Sequence, residues 1–416
     1  MVKRMKINIV SPVFPPEPIT SARANADLAA QLCRNGHRVR VITTFPNRPA
    51  GKLYDGYQRK LWFHDDSFSG YKVLRCFSIF STRSTMVSRF LENISFGITS
   101  GIATLIMGKP DMIYGHTWPI FAQGILALVC RLRGIPFSTR VQDLYPESLL
   151  AQGRVADRSA WIYRSLHWLD MKIKRSSAAV IVISEEFRRI HVQDRHIPAE
   201  KVHLIPNWID EDFVQLHPSE NHIRKGHGIP EDAFLVVYGG NIGAAAGVET
   251  VIRAFQHLAA KPNIYFLVAG EGAMLSDCRN LAQKVNNPRI LFHSPWPQSE
   301  TSGVLCAASM LILPTHGDQS IVSVPSKLMT YMLAGRPVLS CVSEESDIAR
   351  IIGDAACGWV IPPGNPDEIS QKILLLSEQR ASQLEILGER GRSYVLQHLT
   401  RRANLPKLVH LVESIR

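Results

Sequence analysis

Short apolar runs rich in Val and Ile recur along this chain, and each is followed by a loop and an amphipathic helical stretch. Lys6–Ser11 reads as a strand, the Pro-rich loop Pro12–Thr20 follows, and a helix runs from Ser21 to about Asn35 before Gly36-His37 ends it. Val39–Thr43, Asp111–Tyr114, Phe137–Val141 and Ala179–Ile183 read as further strands. After Pro206-Asn207-Trp208 the polar segment Ile209–Gly228 reads as a linker. A second series begins with strand Phe234–Tyr238, loop Gly239–Gly247 and helix Val248–Ala259. Strands Ile264–Ala269, Ile290–His293, Met310–Leu313 and Val338–Cys341 complete it. Strands separated by helix-length segments predict parallel sheets covered on both faces, so the expected fold class is α/β. The 416 residues suit two such units in tandem. Ligands of these sheets bind beyond the carboxyl ends of the strands, and two units facing each other would make a cleft for a substrate.

Charge narrows the partners. Lys plus Arg number 47 against 36 Asp plus Glu, a formal +11, which favours an anionic partner such as nucleic acid, an anionic membrane surface or a phosphorylated substrate. Zinc-finger spacing, an RNP-type motif and a basic arm are all missing from the sequence, which argues against nucleic acid. The seven cysteines are scattered, with no C-x-x-C pair and no His/Cys cluster at zinc spacing, which suits a reducing, cytoplasmic setting and no metal. Phe90–Gly108 is the longest apolar region, but Glu92, Asn93 and several Ser, Thr and Gly weaken it as a spanning helix. It reads as a buried or membrane-facing helix. Basic flanks at Arg83, Arg89 and Lys109 suit an anionic membrane interface. So does the interleaving of Trp161, Tyr163 and Trp168 with Arg164, Lys172 and Arg175, although ordinary amphipathic helices would show the same pattern.

Two motifs carry chemistry. The loop Gly239-Gly240-Asn241-Ile242-Gly243-Ala244-Ala245-Ala246-Gly247 joins a strand to a helix. Its small residues let backbone N–H groups approach a ligand, and the helix that follows would aim its positive end at the same place. A diphosphate is the natural occupant; a tight turn with no ligand is the plainer alternative. The spacing is neither G-x-G-x-x-G nor a Walker loop. The second motif runs from Val324-Pro325-Ser326-Lys327 to Ala334-Gly335-Arg336-Pro337, with a helix start at Pro325-Ser326 and an end at Ala334-Gly335. A lysine in a helix's first turn opposes the positive partial charge there. A bound anion removes that conflict, whereas a solvent-facing lysine would merely tolerate it.

These stretches resemble glycosyltransferase family 4, and within it the branch that assembles bacterial surface polysaccharides, including L-fucosamine and fucose transferases. The N-terminal half carries Phe14-Pro15-Pro16-Glu17, Gly36-His37-Arg38-Val39, Pro110-Asp111, Asp143-Leu144-Tyr145-Pro146-Glu147 and Ile205-Pro206-Asn207-Trp208-Ile209-Asp210. The C-terminal half carries Gly240-Asn241-Ile242-Gly243, Gly270-Glu271-Gly272, Pro325-Ser326-Lys327-Leu328 and Ala334-Gly335-Arg336-Pro337-Val338. The resemblance covers nearly the whole chain, and the order of the motifs is more specific than any one of them. It implies a GT-B fold of two Rossmann-like domains. Residues 1–210, completed by a C-terminal helix at 395–416, would bind the acceptor, and residues 211–394 the nucleotide sugar.

The resemblance further implies a metal-independent transfer with retention at the anomeric carbon. The donor would be a nucleotide-diphosphate sugar, UDP-linked and of the N-acetylated deoxyhexosamine kind, serving as substrate with no cofactor. The acceptor would be a lipid-linked saccharide, handled on the inner face of the plasma membrane in the making of O-antigen, capsule or exopolysaccharide. On that reading Gly240, Asn241, Gly243, Gly272, Ser326 and Lys327 hold the donor, and His293–Pro297 lies along the base.

Three departures concentrate the cationic role on Lys327. Relatives place an Arg and a Lys where this chain has Asn241 and Ala246, two acidic residues where it has Val322 and Thr330, and a His where it has Gln142. Arg23 or Arg140 would then help from the other domain. Stabilising the charge that grows on the leaving diphosphate is the main electrostatic task, and it falls to Lys327 and its helix N-terminus. An acceptor hydroxyl must also lose a proton. Asp143, Glu147 and His116 are the candidate bases, unless the leaving diphosphate takes it. A helix cap is the plainer role for Asp143, and a buried hydrogen-bonded imidazole for His116. A nucleotide-sugar epimerase or hydrolase of similar fold is the enzymatic alternative, distinguished by donor turnover without acceptor. A non-enzymatic nucleic-acid-binding protein is the remote one.

Overall fold

The computed structural model describes residues 4–48, 50–82, 85–116, 119–151, 155–215, 222–316 and 326–415. The chain divides into two units, Met1–Asn207 with Asn404–Arg416, and Trp208–Ala403.

In the first unit the strands are β1 (Lys6–Val10), β2 (Arg38–Thr44), β3 (Trp62–Asp65), β4 (Lys72–Cys76), β5 (Met112–His116), β6 (Phe137–Val141), β7 (Ala179–Val182) and β8 (Val202–Leu204). They form one sheet in the order β3-β4-β2-β1-β5-β6-β7-β8. The parallel pairing expected from the sequence holds throughout, and the edge strand β3, which the sequence did not announce, joins β4 antiparallel. The exception has a visible cause. Arg75, buried in β4, donates from Nε to Asp65 at 2.6 Å and from its other nitrogens to the carbonyls of Thr44 at 3.0 Å and Pro15 at 2.7 Å. A buried guanidinium needs a carboxylate, and the returning β3 supplies it.

The helices of this unit are α1 (Thr20–Arg34), α2 (Met86–Ile106), α3 (Ile120–Arg133), α4 (Glu147–Ala151), α5 (Trp161–Ser176) and α6 (Glu185–Arg189). Phe96 and Ala103 of α2, Leu126 of α3, and Leu166 and Ile173 of α5 share a core with Val10, Ile42, Ile113 and Phe137 of the sheet. These three helices therefore cover the same sheet face, as right-handed crossovers running in one direction require. The last stretch of chain returns to this unit, where Glu413 accepts from the Asn35 amide at 2.7 Å and lies 2.9 Å from His37 Nε2.

The second unit holds β9 (Phe234–Gly239), β10 (Ile264–Ala269), β11 (Ile290–His293), β12 (Met310–Pro314), β13 (Val338–Cys341) and β14 (Gly358–Ile361), in the order β11-β10-β9-β12-β13-β14 and all parallel. Alternate residues of each strand feed two cores. Leu235, Val237 and Leu267 face one, while Val236, Tyr238 and Phe266 face the other. Burial on both faces is why these strands are continuous apolar runs. Helices α7 (His222–Gly226), α8 (Val248–His257), α9 (Leu275–Val285) and α10 (Thr301–Cys306) are followed by helices at Ser326–Leu333, Asp347–Ala355, Pro366–Ser377, Ala381–His398 and Arg401–Ser414.

The polar segment Ile209–Gly228 is not the linker its composition suggests. Ile209 bridges to Thr400, Val214 and Ile223 are buried, and Arg224 donates to the carbonyls of Ala307 at 2.9 Å, Pro230 at 3.0 Å and Ala233 at 2.8 Å. Its polar residues satisfy backbone groups of the second unit, a use that composition cannot reveal. Residues 216–221 lie outside the described residues.

Candidate functional site

In the second unit the chain winds from β9 through β10 to β11 on one side and from β12 outward on the other. Strand order thus reverses between β9 and β12, and the crevice beyond their carboxyl ends is where such sheets take ligands. Both sequence motifs arrive there. The glycine loop follows β9, and the Ser326–Leu333 helix follows β12.

The glycines prove to serve loop-on-loop packing as well as openness. Gly240, Gly270 and Gly272 have φ of 149°, 141° and 153°. A Cβ on Gly270 would strike the Gly240 carbonyl, and one on Gly272 the Ile242 carbonyl. The two loops are laced together by Gly240 N–H to Ala269 O at 2.9 Å, Ile242 N–H to Glu271 O at 2.8 Å and Met274 N–H to Ile242 O at 3.0 Å. The N–H groups of Gly240 and Ile242 are thereby spent. Those of Asn241 and Gly243 have no partner among the described residues and remain to meet a ligand.

Lys327 lies across Gly240, and any side chain at that glycine would collide with it. Its ammonium donates to the Tyr238 hydroxyl and, at 3.2 Å, to the Asn241 carbonyl, and sits 4.6 Å from the Tyr238 ring centroid. The Tyr238 hydroxyl in turn donates to Asn241 O at 2.6 Å. Burial lowers the Lys327 pKa to about 8 and pushes the Tyr238 phenol up. The cation thus faces a carbonyl, a hydroxyl and a ring, with no carboxylate among these partners. A site so built favours an incoming anion, which would bring the lysine's pKa back up towards its ordinary value. One turn along the helix, the buried Tyr331 hydroxyl donates to Gly239 O at 2.9 Å and accepts from Gly239 N–H at 2.8 Å, clamping the helix to the end of β9. Sequence reasoning missed both tyrosines. The signal available for Tyr331 was its i+4 spacing from Lys327, which shares its helix face. Ser326 opens the helix, and its side chain lies outside the described residues.

The start of α8 is less open than the sequence suggests. Gly247 is left-handed at φ 64°, and Glu249 occupies the first turn with its carboxylate 3.5 Å from His316. An acidic side chain there already answers the positive end of that helix. Past β11, His293 Nε2 is 2.6 Å from Glu300 and Nδ1 is 3.0 Å from His227 Nε2. A carboxylate only accepts, so His293 Nε2–H donates to Glu300, and the Nδ1 of that tautomer accepts from His227. Burial, helped by His293, lowers the His227 pKa. Trp296 packs against Gly239, where a Cβ would come within 2.9 Å of its ring.

In the first unit strand order reverses between β1 and β5, and His116 closes β5. It is buried, and desolvation with the charge of Arg140 lowers its pKa to about 3, so the imidazole is neutral. Arg140 is itself buried and donates to Asn207 Oδ1 at 3.0 Å. Gln142 and Asn207 exchange amide hydrogen bonds of 3.1 and 2.8 Å, tying the end of β6 to the Ile-Pro-Asn motif. Glu147 accepts from Arg195 at 2.6 Å, and the same guanidinium holds Asp170 at 2.6 Å. Burial alone would raise the Glu147 pKa, but Arg195 outweighs it and holds the group below the ordinary range. Asp143 differs: its carboxylate has no hydrogen-bond or ion-pair partner among the described residues, reaches solvent, and is raised by partial desolvation. Arg23 lies on α1 with an exposed side chain. Among the described residues no group of three or more His, Cys, Asp or Glu is placed to hold a metal.

Residues 21–213 match the family described as Glycosyltransferase Family 4, and residues 219–394 match Glycosyl transferases group 1. A Pseudomonas aeruginosa protein named "Probable glycosyltransferase WbjE" is 25% identical over 338 residues, covering 80% of this chain and 82% of that one. The Escherichia coli UDP-Gal:alpha-D-GlcNAc-diphosphoundecaprenol alpha-1,3-galactosyltransferase is 19% identical, covering 76% and 80%. Among solved structures, WaaG, a glycosyltransferase involved in lipopolysaccharide biosynthesis, superposes with a TM-score of 0.69 at 18% identity over 98% of this chain and 100% of its own. That likeness makes the fold GT-B.

Proposed function

The chain belongs to the glycosyltransferases, with a Family 4 domain followed by a group 1 domain, and from that premise we propose that it moves a sugar from a nucleotide-diphosphate donor to a lipid-linked saccharide in surface-polysaccharide synthesis. The observation that carries the donor half is Lys327, half-buried over Gly240 at the strand-order reversal, with its pKa lowered to about 8. The second unit takes the donor. Its diphosphate lies against the Lys327 ammonium, the first turn of the Ser326–Leu333 helix and the unspent N–H groups of Asn241 and Gly243. As the glycosidic bond breaks, charge grows on the leaving phosphate, and a fixed, half-buried cation stabilises it most at that moment. Asn241 and Gly243 orient the diphosphate, and Gly272 keeps the neighbouring loop clear of Ile242.

The first unit takes the acceptor. Asp143 is the base of choice, because it alone of the three candidates is both solvent-reaching and unpaired among the described residues, with a pKa raised by partial desolvation. The leaving phosphate serves as the alternative proton acceptor. The transfer proceeds with retention and without a metal, from a UDP-linked N-acetylated deoxyhexosamine, by a protein held peripherally on the inner face of the plasma membrane. The galactosyltransferase relative, whose name gives it a UDP-sugar donor and a diphosphoundecaprenol acceptor, supports the substrate classes.

Thermal shift with UDP, GDP, dTDP and ADP tests the donor half. UDP should raise the melting temperature according to occupancy. Stabilisation by none of the four overturns the donor site, and stabilisation by GDP alone overturns the uridine assignment. Proton NMR of the product of a turnover with the matching donor then reads retention or inversion directly.

A further inference from the structure

Helix α2 is built inside out. A helix lying on a protein surface normally buries its apolar stripe. Here the buried face carries Glu92, Asn93, Thr99, Ser100 and Thr104 beside Phe96 and Ala103, while Leu91, Ile98, Ile102 and Leu105 are 42%, 47%, 40% and 44% exposed. The polar residues inside are satisfied locally. Thr104 donates to Ser100 O at 2.8 Å, Ser100 to Phe96 O at 2.6 Å, Thr99 to Phe77 O at 2.8 Å, and Glu92 pairs with Arg48 at 2.6 Å. Close packing adds to the small apolar burial that Phe96 and Ala103 provide. Gly97 and Gly101 lie one turn apart against α3, and a Cβ on Gly97 would stand 2.8 Å from the Ala122 backbone. Small residues four apart are how helices approach when burial of large apolar side chains does not drive them together. The outward stripe of α2 is thus surplus to the core.

The neighbouring helices continue this character. Gly124 of α3 packs on Leu169 of α5, so α2, α3 and α5 lie side by side. Outward from α3 stand Leu128 and Leu132, and from α5 Trp161 and Trp168. Every exposed charge on the three helices is basic, among them Arg131, Arg164, Lys172 and Arg175. Their two acids, Glu92 and Asp170, are buried in ion pairs. The Lys172 ammonium sits 4.5 Å from the Trp168 ring centroid, an aromatic body with a charged rim. No described helix is long and apolar enough to cross a membrane.

We infer that the α2–α3–α5 face is the seat on which this protein docks to a bilayer rich in anionic headgroups, with the α2 stripe entering the headgroup–acyl boundary. An apolar stripe ringed by cations matches that interface in both layers, while two copies of the face would set like charges against each other. The inference deepens the proposed function by naming the surface that presents the first unit to a lipid-linked acceptor, and rests on that reading only for its purpose.

Flotation with phosphatidylglycerol–phosphatidylcholine vesicles and with phosphatidylcholine alone tests it, on the full chain. The wild type should float with the first, float little with the second, and lose binding as salt rises. Ile98→Asp/Ile102→Asp should weaken binding about tenfold or more, from the lost apolar burial. Arg131→Glu/Lys172→Glu should weaken it roughly tenfold at low salt only. Both pairs are exposed, so circular dichroism and the nucleotide-induced thermal shift should not change. Unaltered flotation of the Ile variant overturns the proposal. So does a wild-type dimer in light scattering that the same variant dissociates while vesicle binding persists, for the face would then be a contact between copies. If no nucleotide diphosphate stabilises the protein but the vesicle results hold, the donor reading fails and the docking face stands.

Discussion

The Lys327 ammonium donates to the Tyr238 hydroxyl and lies 4.6 Å from the centroid of the same ring, although the two residues are 89 positions apart. The tyrosine presents its π face and its oxygen to the cation without neutralising it. A lysine held in this way is fixed in position and still in need of an anion. Lys327→Ala should remove most of the thermal shift given by the preferred nucleotide diphosphate and lower kcat/KM by about 10²-fold or more, the scale of losing one charge-stabilising donor. Tyr238→Phe keeps the ring and loses the hydroxyl. It should cost less in kcat/KM than Lys327→Ala, and an equal loss would mean that the hydroxyl itself contacts the donor.

The lowered pKa of Lys327 gives donor binding a definite pH dependence. Burial favours the uncharged amine in the fold, so the ligand-free protein gains stability from this group as pH rises above about 8 towards the ordinary lysine range, and is indifferent to it below. Diphosphate binding has the opposite sign, because it needs the ammonium. Titration calorimetry should show the Kd for UDP rising about tenfold between about pH 7 and about pH 9. Lys327→Arg should flatten that rise, since a guanidinium stays charged throughout. A wild-type Kd that is level across the range would remove Lys327 from the diphosphate.

Asp143 and Glu147 separate by what their removal does. Asp143→Asn should lower kcat while leaving the melting temperature nearly unchanged, because that carboxylate has no ion-pair partner to lose among the described residues. Glu147→Gln should instead destabilise the fold, by up to about 3 kcal/mol, since it removes one of the two carboxylates paired with a buried guanidinium. The linkage follows. The Glu147 pKa is held low by Arg195, so its contribution is fully present above the ordinary glutamate range and is lost as pH falls through the lowered value. Urea unfolding at neutral and acidic pH reads this, and a wild-type-minus-variant difference that persists in acid would contradict it.

Gly272→Ala should destabilise the second unit by about 1–3 kcal/mol, because φ is 153° and the new methyl would meet the Ile242 carbonyl. Nucleotide binding should weaken with it, since Ile242 lies between the two unspent N–H groups of Asn241 and Gly243. Normal binding in a destabilised variant would show that the glycine serves packing alone.

Most of the strands that were legible in the sequence are buried on both faces. Phe137–Val141, Ile264–Ala269, Ile290–His293 and Val338–Cys341 stand as read, because each is a short, largely apolar run set between loop and helix signals. The strands that were missed each owe their place to a distant partner. Trp62–Asp65 is only four residues long, two aromatic and two polar, and pairs antiparallel to meet Arg75. Gly358–Ile361 opens on a glycine, where a Cβ would strike the Val338 carbonyl. The segment around Arg224 looked like a linker because its polar atoms serve carbonyls that lie up to 83 residues away.

At the proposed donor site the sequence by itself determined that small residues follow β9 and that a lysine opens a helix after β12, since both are written in local spacing. It determined also that α2 is apolar, without saying which side of it faces out. Tertiary structure decided the rest. It set Lys327 on Gly240 and Tyr238, spent the N–H groups of Gly240 and Ile242 on a neighbouring loop, locked Glu147 to Arg195, and turned the isoleucines of α2 to solvent. The physical reason is common to all four. Periodicity reports how a segment can bury itself, whereas hydrogen-bond partners and burial faces depend on which strands the crossovers bring side by side, and that choice is made between residues far apart in the chain.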